Sequence, residues 1–321
     1  MPSTAPDVVH VVAAAIRDGA GRYLIARRAG HRHQGGLWEF PGGKLEPGES
    51  VQQGLARELG EELGIAPLAA RPLIRVRHRY PDKHVLLDVW RVDAFAGEPE
   101  PREGQPLAWA HAEALSEYAF PAANYPIVAA LRLPDRYLIT PEPGRDRAAF
   151  LDELARRLAA GIELVQLRAP SLSEADYLEL ARAAQELTRR HGARLLLNAE
   201  PALVRELGAD GVHLNGGRLA GLAERPLPEG YWVAASCHDA GDLEQAARIG
   251  ADMAVLSPVR ATASHPDAEP MGWARFSQLV EASALPVYAL GGMGVADIEA
   301  VQRHGGQGIA AISGLWEAPD G

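Results

Sequence analysis

The sequence predicts two folded units in series. A mixed α+β domain spans residues 1–133, and an eight-stranded α/β barrel of the TIM type spans residues 134–321, its last helix shortened or missing. In the first unit short apolar runs meet at turn-forming residues and helices are few. After Pro134 the rhythm changes, and eight apolar runs alternate with helical stretches. Only Ser313 to Gly321 follow the last of those runs, and Pro319 with Asp320-Gly321 cannot extend a helix.

Composition narrows the function classes. No basic stretch followed by an apolar run opens the chain, and no run of about 18 uninterrupted apolar residues exists, so neither a signal peptide nor a membrane span is expected. Cys237 is the only cysteine, which excludes an intrachain disulfide and a multi-cysteine zinc site and fits a cytoplasmic protein. The net charge of −10 divides unevenly, with −1 on residues 1–133 and −9 on the rest. Neither part has the basic footprint of a polymer-binding surface, so no nucleic-acid polymer is expected as partner. A mononucleotide with its own divalent cation stays compatible with that balance.

In the first domain, residues 8–18 and 22–28 read as strands joined at Gly19-Ala20-Gly21. Residues 74–80 and 84–92 repeat that arrangement around Pro81-Asp82, residues 94–106 read as a loop, and a helix is expected from Asn124 to Arg132. Between them lies LWEFPGGKLEPGESVQQGLARELGEELGI (37–65). Ser50 with Gln53 forms a capping box that starts a helix at Val51, and Gly64 is placed to end it in a left-handed cap. Val51, Leu55, Leu59 and Leu63 make the buried stripe. Glu58, Glu61 and Glu62 stand at i, i+3 and i+4 and share an arc of roughly 100°. Three like charges repel there, and Glu62 borders the apolar stripe where solvation is poor. An acidic helix with no site gains nothing from this arrangement, whereas a hard divalent cation reverses its sign. Pro41-Gly42-Gly43 lets backbone approach such a metal or a phosphate.

Gly43, Glu49, Arg57-Glu58-Leu59, Glu61-Glu62 and Gly64-Ile65 fill every fixed position of the Nudix box, and the domain resembles Nudix hydrolases of the MutT type along essentially its whole length. WEFPGGKLE, YPDKH (80–84), GEPEPREGQP (97–106) and FPAANYPIVAALRL (120–133) follow in that order. The resemblance implies a Nudix fold, Mg2+ or Mn2+ as cofactor, and hydrolysis of a nucleoside triphosphate, with 8-oxo-dGTP foremost, in sanitation of the nucleotide pool. A metal-activated water would attack the β-phosphorus and release monophosphate and pyrophosphate. The resemblance implies a metal shell of Glu58, Glu61, Glu62, Glu103 and the Gly42 carbonyl. Glu58 is the favoured base, Glu103 its rival and Glu61 a third catalytic carboxylate. Glu49, Arg57, Gly43 and Lys44 support the loop and helix. Asn124 would read the oxidised purine edge, because an amide donates and accepts together; the alternative is a helix N-cap before Pro126. Arg28, Phe40 and Lys83 fall where nucleotide contacts occur.

In the second domain the strands are expected at 136–140, 164–168, 194–198, 211–215, 232–236, 253–257, 286–290 and 308–312, with helices at 147–160, 174–191, 240–249, 272–282 and 295–303. Their near-continuous apolar character suits a parallel sheet buried on both faces. An open Rossmann sheet is the alternative, disfavoured by eight strands without a GxGxxG turn. RYLIT, VQLR, GADGVHL (208–214), ALGG (289–292) and AAISGL (310–315) resemble thiamin phosphate synthase and its relative TenI. Pro170 and His265 stand where the synthase has Lys, and Ala199 and Arg218 where it has Mg2+-binding Asp. Residues 134–321 contain no lysine. The expectation is a barrel without synthase activity. Arg168, Asn198, Ser236, Gly291, Gly292 and Ser313 remain as a candidate site for a thiamin-related phosphate, although the glycines also suit ordinary strand-end turns. Cys237 and His238 read as structural.

A second function class gives the Nudix site another diphosphate, such as a damaged thiamin diphosphate. A third makes the barrel a ligand sensor or interaction module. With no room for a full eighth helix, Leu315 and Trp316 are expected to meet either the helix at 124–132 or a second subunit of a homodimer.

Overall fold

From Val12 to Ile16 every side chain of β1 (Val8–Ile16) is buried, and the first domain is built around that strand. The computed structural model describes residues 8–30, 34–80, 84–262 and 269–317. The chain divides into two compact units, Met1–Leu133 and Pro134–Gly321.

In the first unit β1 pairs parallel with β6 (His84–Ala96) and antiparallel with β4 (Gly42–Lys44), while β5 (Ala66–Arg79) completes the sheet in the order β4-β1-β6-β5. A smaller sheet has the order β3-β2-β7, from β3 (Trp38–Glu39), β2 (Tyr23–Arg27) and β7 (Leu107–Ala110). Alternate residues of β1 face opposite ways, as the pleat requires. Val12, Ala14 and Ile16 pack with Leu55, Leu59 and Leu63 of α1 (Val51–Leu63), whereas Ala13 and Ala15 pack with Ile127, Val128 and Leu131 of α2 (Tyr125–Arg132). The small residues of β1 leave room for a helix on each face.

The helix α1 begins and ends where its sequence indicates. Ser50 Oγ accepts from the Gln53 N–H, Gln53 Oε1 accepts from the Ser50 N–H, and Gly64 closes the helix at φ +72°. The expected hairpin at residues 19–21 reduces to one bridge, Arg17 to Tyr23. Beyond it β1 and β2 enter different sheets, because the segment from Pro41 to Lys44 already occupies that edge of β1. The second hairpin is present: β5 and β6 pair antiparallel out to Arg79 and His84, and its turn at Pro81-Asp82 lies outside the described residues. The strand β6 also runs on to Ala96, three residues into the stretch read as loop.

The second unit is a closed barrel of eight parallel strands. These are β8 (Arg136–Ile139), β9 (Leu164–Leu167), β10 (Arg194–Leu197), β11 (Gly211–Leu214), β12 (Trp232–Cys237), β13 (Met253–Leu256), β14 (Val287–Ala289) and β15 (Gly308–Ala311). The long helices α3 (Arg147–Ala159) and α4 (Glu174–Arg190), with α7 (Ala240–Arg248), α8 (Gly272–Ala282) and α9 (Ile298–Arg303), lie where the apolar periodicity places them. Two shorter ones, α5 (Pro201–Leu207) and α6 (Gly216–Ala220), have too few residues to show a period. Cys237, the last residue of β12, is fully buried, and its thiol is pushed up to about 12 by burial and by the charges of Asp242 and Asp239.

The last described helix, α10 (Ser313–Trp316), has a single turn, as a shortened last helix requires. Leu315 is buried in the barrel's own core, and the Trp316 ring packs on Phe150 of α3 at 4.9 Å between centroids. Within its own domain α10 packs against α3, β8 and β15. No described helix is long and apolar enough to cross a membrane.

Candidate active site

The carboxylates of α1 meet the glycine loop that precedes it. The Glu58 carboxylate lies over Gly43, where a side chain on residue 43 would collide with it. Glu62 accepts a hydrogen bond from the Gly42 N–H at 3.1 Å. Gly42 has φ +146°, and a Cβ there would strike the Val12 carbonyl, so β1 forces a glycine at this point.

Arg57 braces loop and helix together. Its Nε and Nη2 donate to the two Glu49 oxygens at 2.9 Å each, and Nη2 also donates to the Lys44 carbonyl at 3.0 Å. Nη1 reaches Glu58 at 2.9 Å and Glu61 at 3.3 Å. A bidentate guanidinium of this kind fixes direction as well as charge. It holds Glu49 below the usual carboxylate range. Glu61 differs from its neighbours: its side chain is 62% exposed, on the solvent side of Arg57.

The end of α1 is fastened by the loop that carries Glu103. The Arg102 N–H donates to the Glu62 carbonyl and the Glu100 N–H to that of Leu63, at 3.1 and 3.0 Å. The Arg102 guanidinium donates to the Gly60 carbonyl at 2.9 Å. Gln105 Nε2 donates to the Glu62 carbonyl at 3.1 Å, while Gln105 Oε1 accepts from the Glu103 N–H at 2.9 Å. The orphan carbonyls of the helix end are thereby satisfied by backbone and side-chain donors of the loop that carries Glu103. Burial pushes Glu62 up to about 7; the Gly42 hydrogen bond opposes this, while the charges of Glu39, Glu103 and Glu58 add to it.

Glu39, like Arg102 and Gln105, is a residue that sequence reasoning missed. On β3 it alternates with Trp38 and Phe40 and so faces the other way, paired with Ala26 of β2. Its carboxylate holds Arg28 Nη1 at 2.5 Å. The signal was present in the strand alternation of WEF, one residue before the loop.

These groups suit a hard divalent cation in kind: the donors are oxygens, their charge is in excess, and Glu62 is short of solvent. Among the described residues no three Asp, Glu, His or Cys side chains already converge tightly enough to hold one. Arg57, which engages Glu58 and Glu61, accounts for part of that spacing.

On the other side of the sheet Phe40 stacks on Phe120, with centroids 5.5 Å apart and planes within 12°. Asn124 is buried and stands at the N-cap position of α2, yet its side chain makes no capping hydrogen bond. The helix-cap alternative therefore does not account for it. Lys83 lies outside the described residues.

At the C-terminal mouth of the barrel, Asn198 donates to Gln166 and Ser236 bonds to His213, while Arg168 stands apart with Glu142 at 3.8 Å. Gly291 and Gly292 have φ +106° and +61°, and a Cβ on either would press on the Arg260 or Ala261 carbonyl. The turn geometry alone requires them. Ser313 is exposed at the start of α10, and His265 lies outside the described residues. Arg218 donates to Glu200 at 2.8 Å and to Asn198 at 3.1 Å.

Residues 12–130 match the family described as NUDIX domain, and residues 136–315 the family described as thiamine monophosphate synthase. The 8-oxo-dGTP diphosphatase of Escherichia coli is 40% identical over 117 residues, covering 36% of this chain and 91% of that protein. A putative thiamine-phosphate synthase of Geobacter sulfurreducens is 39% identical over 189 residues, 57% of this chain and 87% of its own length. The putative thiamine-phosphate synthase 2 of Aquifex aeolicus is 33% identical over 187 residues, 58% of this chain and 100% of its own.

Proposed function

The chain belongs to the NUDIX family through residues 12–130 and to the thiamine monophosphate synthase family through residues 136–315; from that premise we propose that its hydrolase domain cleaves 8-oxo-dGTP to the monophosphate and pyrophosphate with Mg2+. The observation that carries this reading is the placement of two α1 carboxylates on the glycine loop, Glu58 over Gly43 and Glu62 on the Gly42 N–H. Glu58, Glu62, Glu103 and the Gly42 carbonyl would hold the cation, with Glu61 at its solvent edge. Bound there, Mg2+ supplies the positive charge that polarises the phosphates and acidifies water. Glu58 takes the proton, and Arg57, bidentate on Glu49, keeps it aimed at the loop. Arg28, held by Glu39, and Phe40 flank the nucleotide, and Asn124 reads the oxidised purine edge.

The reading is tested by Glu58→Gln, which should lower kcat by about 10²-fold or more under saturating Mg2+ while the melting temperature stays near wild type. A variant within a few-fold of wild type refutes it. The fused barrel favours a second reading, in which it holds a thiamin-related phosphate without synthase activity and the hydrolase acts on a damaged thiamin diphosphate. Turnover of a panel of ordinary and oxidised nucleotides and thiamin phosphates ranks the two.

A further inference from the structure

We propose that Glu61 is a transferable carboxylate: Arg57 holds it on the solvent side of the hydrolase site, and it moves onto the divalent cation when one binds, so that Arg57 sets how tightly the cation is held. This rests on the hydrolase reading and deepens it, because it concerns the regulation of that same site.

A guanidinium has five N–H groups, and every one on Arg57 is engaged. Nε and one Nη2 hydrogen serve Glu49, and the second Nη2 hydrogen serves the Lys44 carbonyl. The two Nη1 hydrogens are divided between Glu58 at 2.9 Å and Glu61 at 3.3 Å. These bonds are unequal. The Glu49 and Glu58 side chains are 12% and 13% exposed, so water is poorly placed to replace Arg57 at either. Glu61 is 62% exposed and stands at the longest distance of the set. Arg57 is its one side-chain partner among the described residues. An exposed pair of this kind is weak, and water readily takes the place of either member.

Glu61 has a competing destination. On α1 it shares one arc with Glu58 and Glu62, and those two carboxylates meet the glycine loop at Gly43 and Gly42. A divalent cation held there carries twice the charge of the guanidinium and takes oxygen ligands. Glu58 has two oxygens, so it can keep Arg57 on one and face the cation with the other. Glu61 reaches the same place by turning its own side-chain torsions, with no movement of the helix. The Nη1 hydrogen it leaves returns to water. Arg57 thus acts in two opposed ways. Its grip on Glu49 and Glu58 builds the site, while its grip on Glu61 withholds a ligand.

The test is a double-mutant cycle read by calorimetric titration of Mn2+ into the full chain without nucleotide. The effect of Arg57→Gln on Mn2+ affinity should be more favourable in the wild-type background than in the Glu61→Gln background. The expected difference is about three- to fivefold, the size of an exposed ion pair. Circular dichroism verifies that each variant folds. Equal effects in the two backgrounds, or a less favourable one with Glu61 present, leave Arg57 as a brace alone and overturn the transfer. Absence of Mn2+ binding to the wild type sinks the hydrolase reading itself. Nitrogen NMR of the wild-type guanidinium reads the same event without substitution. On adding Mg2+ the Arg57 Nη1 hydrogens should exchange faster, while the Nε hydrogen, held by Glu49, keeps its protection. Unchanged Nη1 exchange at saturating Mg2+ overturns the transfer and leaves the metal site in place.

Discussion

The Glu58 carboxylate rests on the bare backbone of Gly43, and no room remains between them for even a methyl group. Gly43→Ala should therefore displace Glu58 or the loop. Overpacking of this kind costs about 1–3 kcal/mol of stability, but the larger effect is expected in kcat, because the displaced group is the proposed base. Paired melting and steady-state measurements check this, and a stable variant with wild-type kcat contradicts it.

Glu62 gives the metal-free chain an unusual pH dependence. Its carboxyl titrates near 7 in the folded state and near 4.5 when unfolded. Between those values the native chain keeps a proton that the unfolded chain has lost. The stabilisation is complete below 4.5 and is lost as pH rises through 7, by an amount on the order of 2–3 kcal/mol. Urea unfolding in EDTA at pH 5 and pH 8 should show the loss in wild type and not in Glu62→Gln. Identical pH dependence in both proteins counts against it.

Gln105 bridges Glu62 and Glu103 through the two ends of one amide. Gln105→Ala should lower kcat and raise the Mg2+ concentration needed for half-maximal rate, each by about tenfold, for one or two lost hydrogen bonds near 1 kcal/mol apiece. KM at saturating Mg2+ should hardly move. A change confined to the melting temperature would assign Gln105 to the scaffold alone.

Asn124 is buried without a cap bond, so Asn124→Ala should leave α2 intact and reduce discrimination for the oxidised purine. A lost edge contact is worth about 1–3 kcal/mol. The ratio of kcat/KM for 8-oxo-dGTP to that for dGTP measures it, and a uniform loss on both substrates would rule out a reading role.

The start and end of α1 were legible because a capping box, a leucine stripe and a terminal glycine are local signals. The barrel strands were legible because burial on both faces writes a continuous apolar run. Glu39 left only the faint trace of the WEF alternation, and Arg102 and Gln105 left none, since each acts across a gap in sequence that only the folded loop closes. The first hairpin failed for the same reason: nothing in residues 8–28 records that β4 takes the edge of β1. α6 begins with two glycines and rests on an Asn215 cap, too little for periodicity to register.

Cys237 has a practical consequence. It is the chain's only thiol, fully buried at the end of β12, and it lies entirely in the barrel. A disulfide-exchange dye added to the native protein stays colourless until that domain opens, and the cysteine-free hydrolase contributes nothing at any degree of unfolding. The rate of colour development is therefore a clock for one domain of a two-domain chain, readable with no label, no truncation and no substitution.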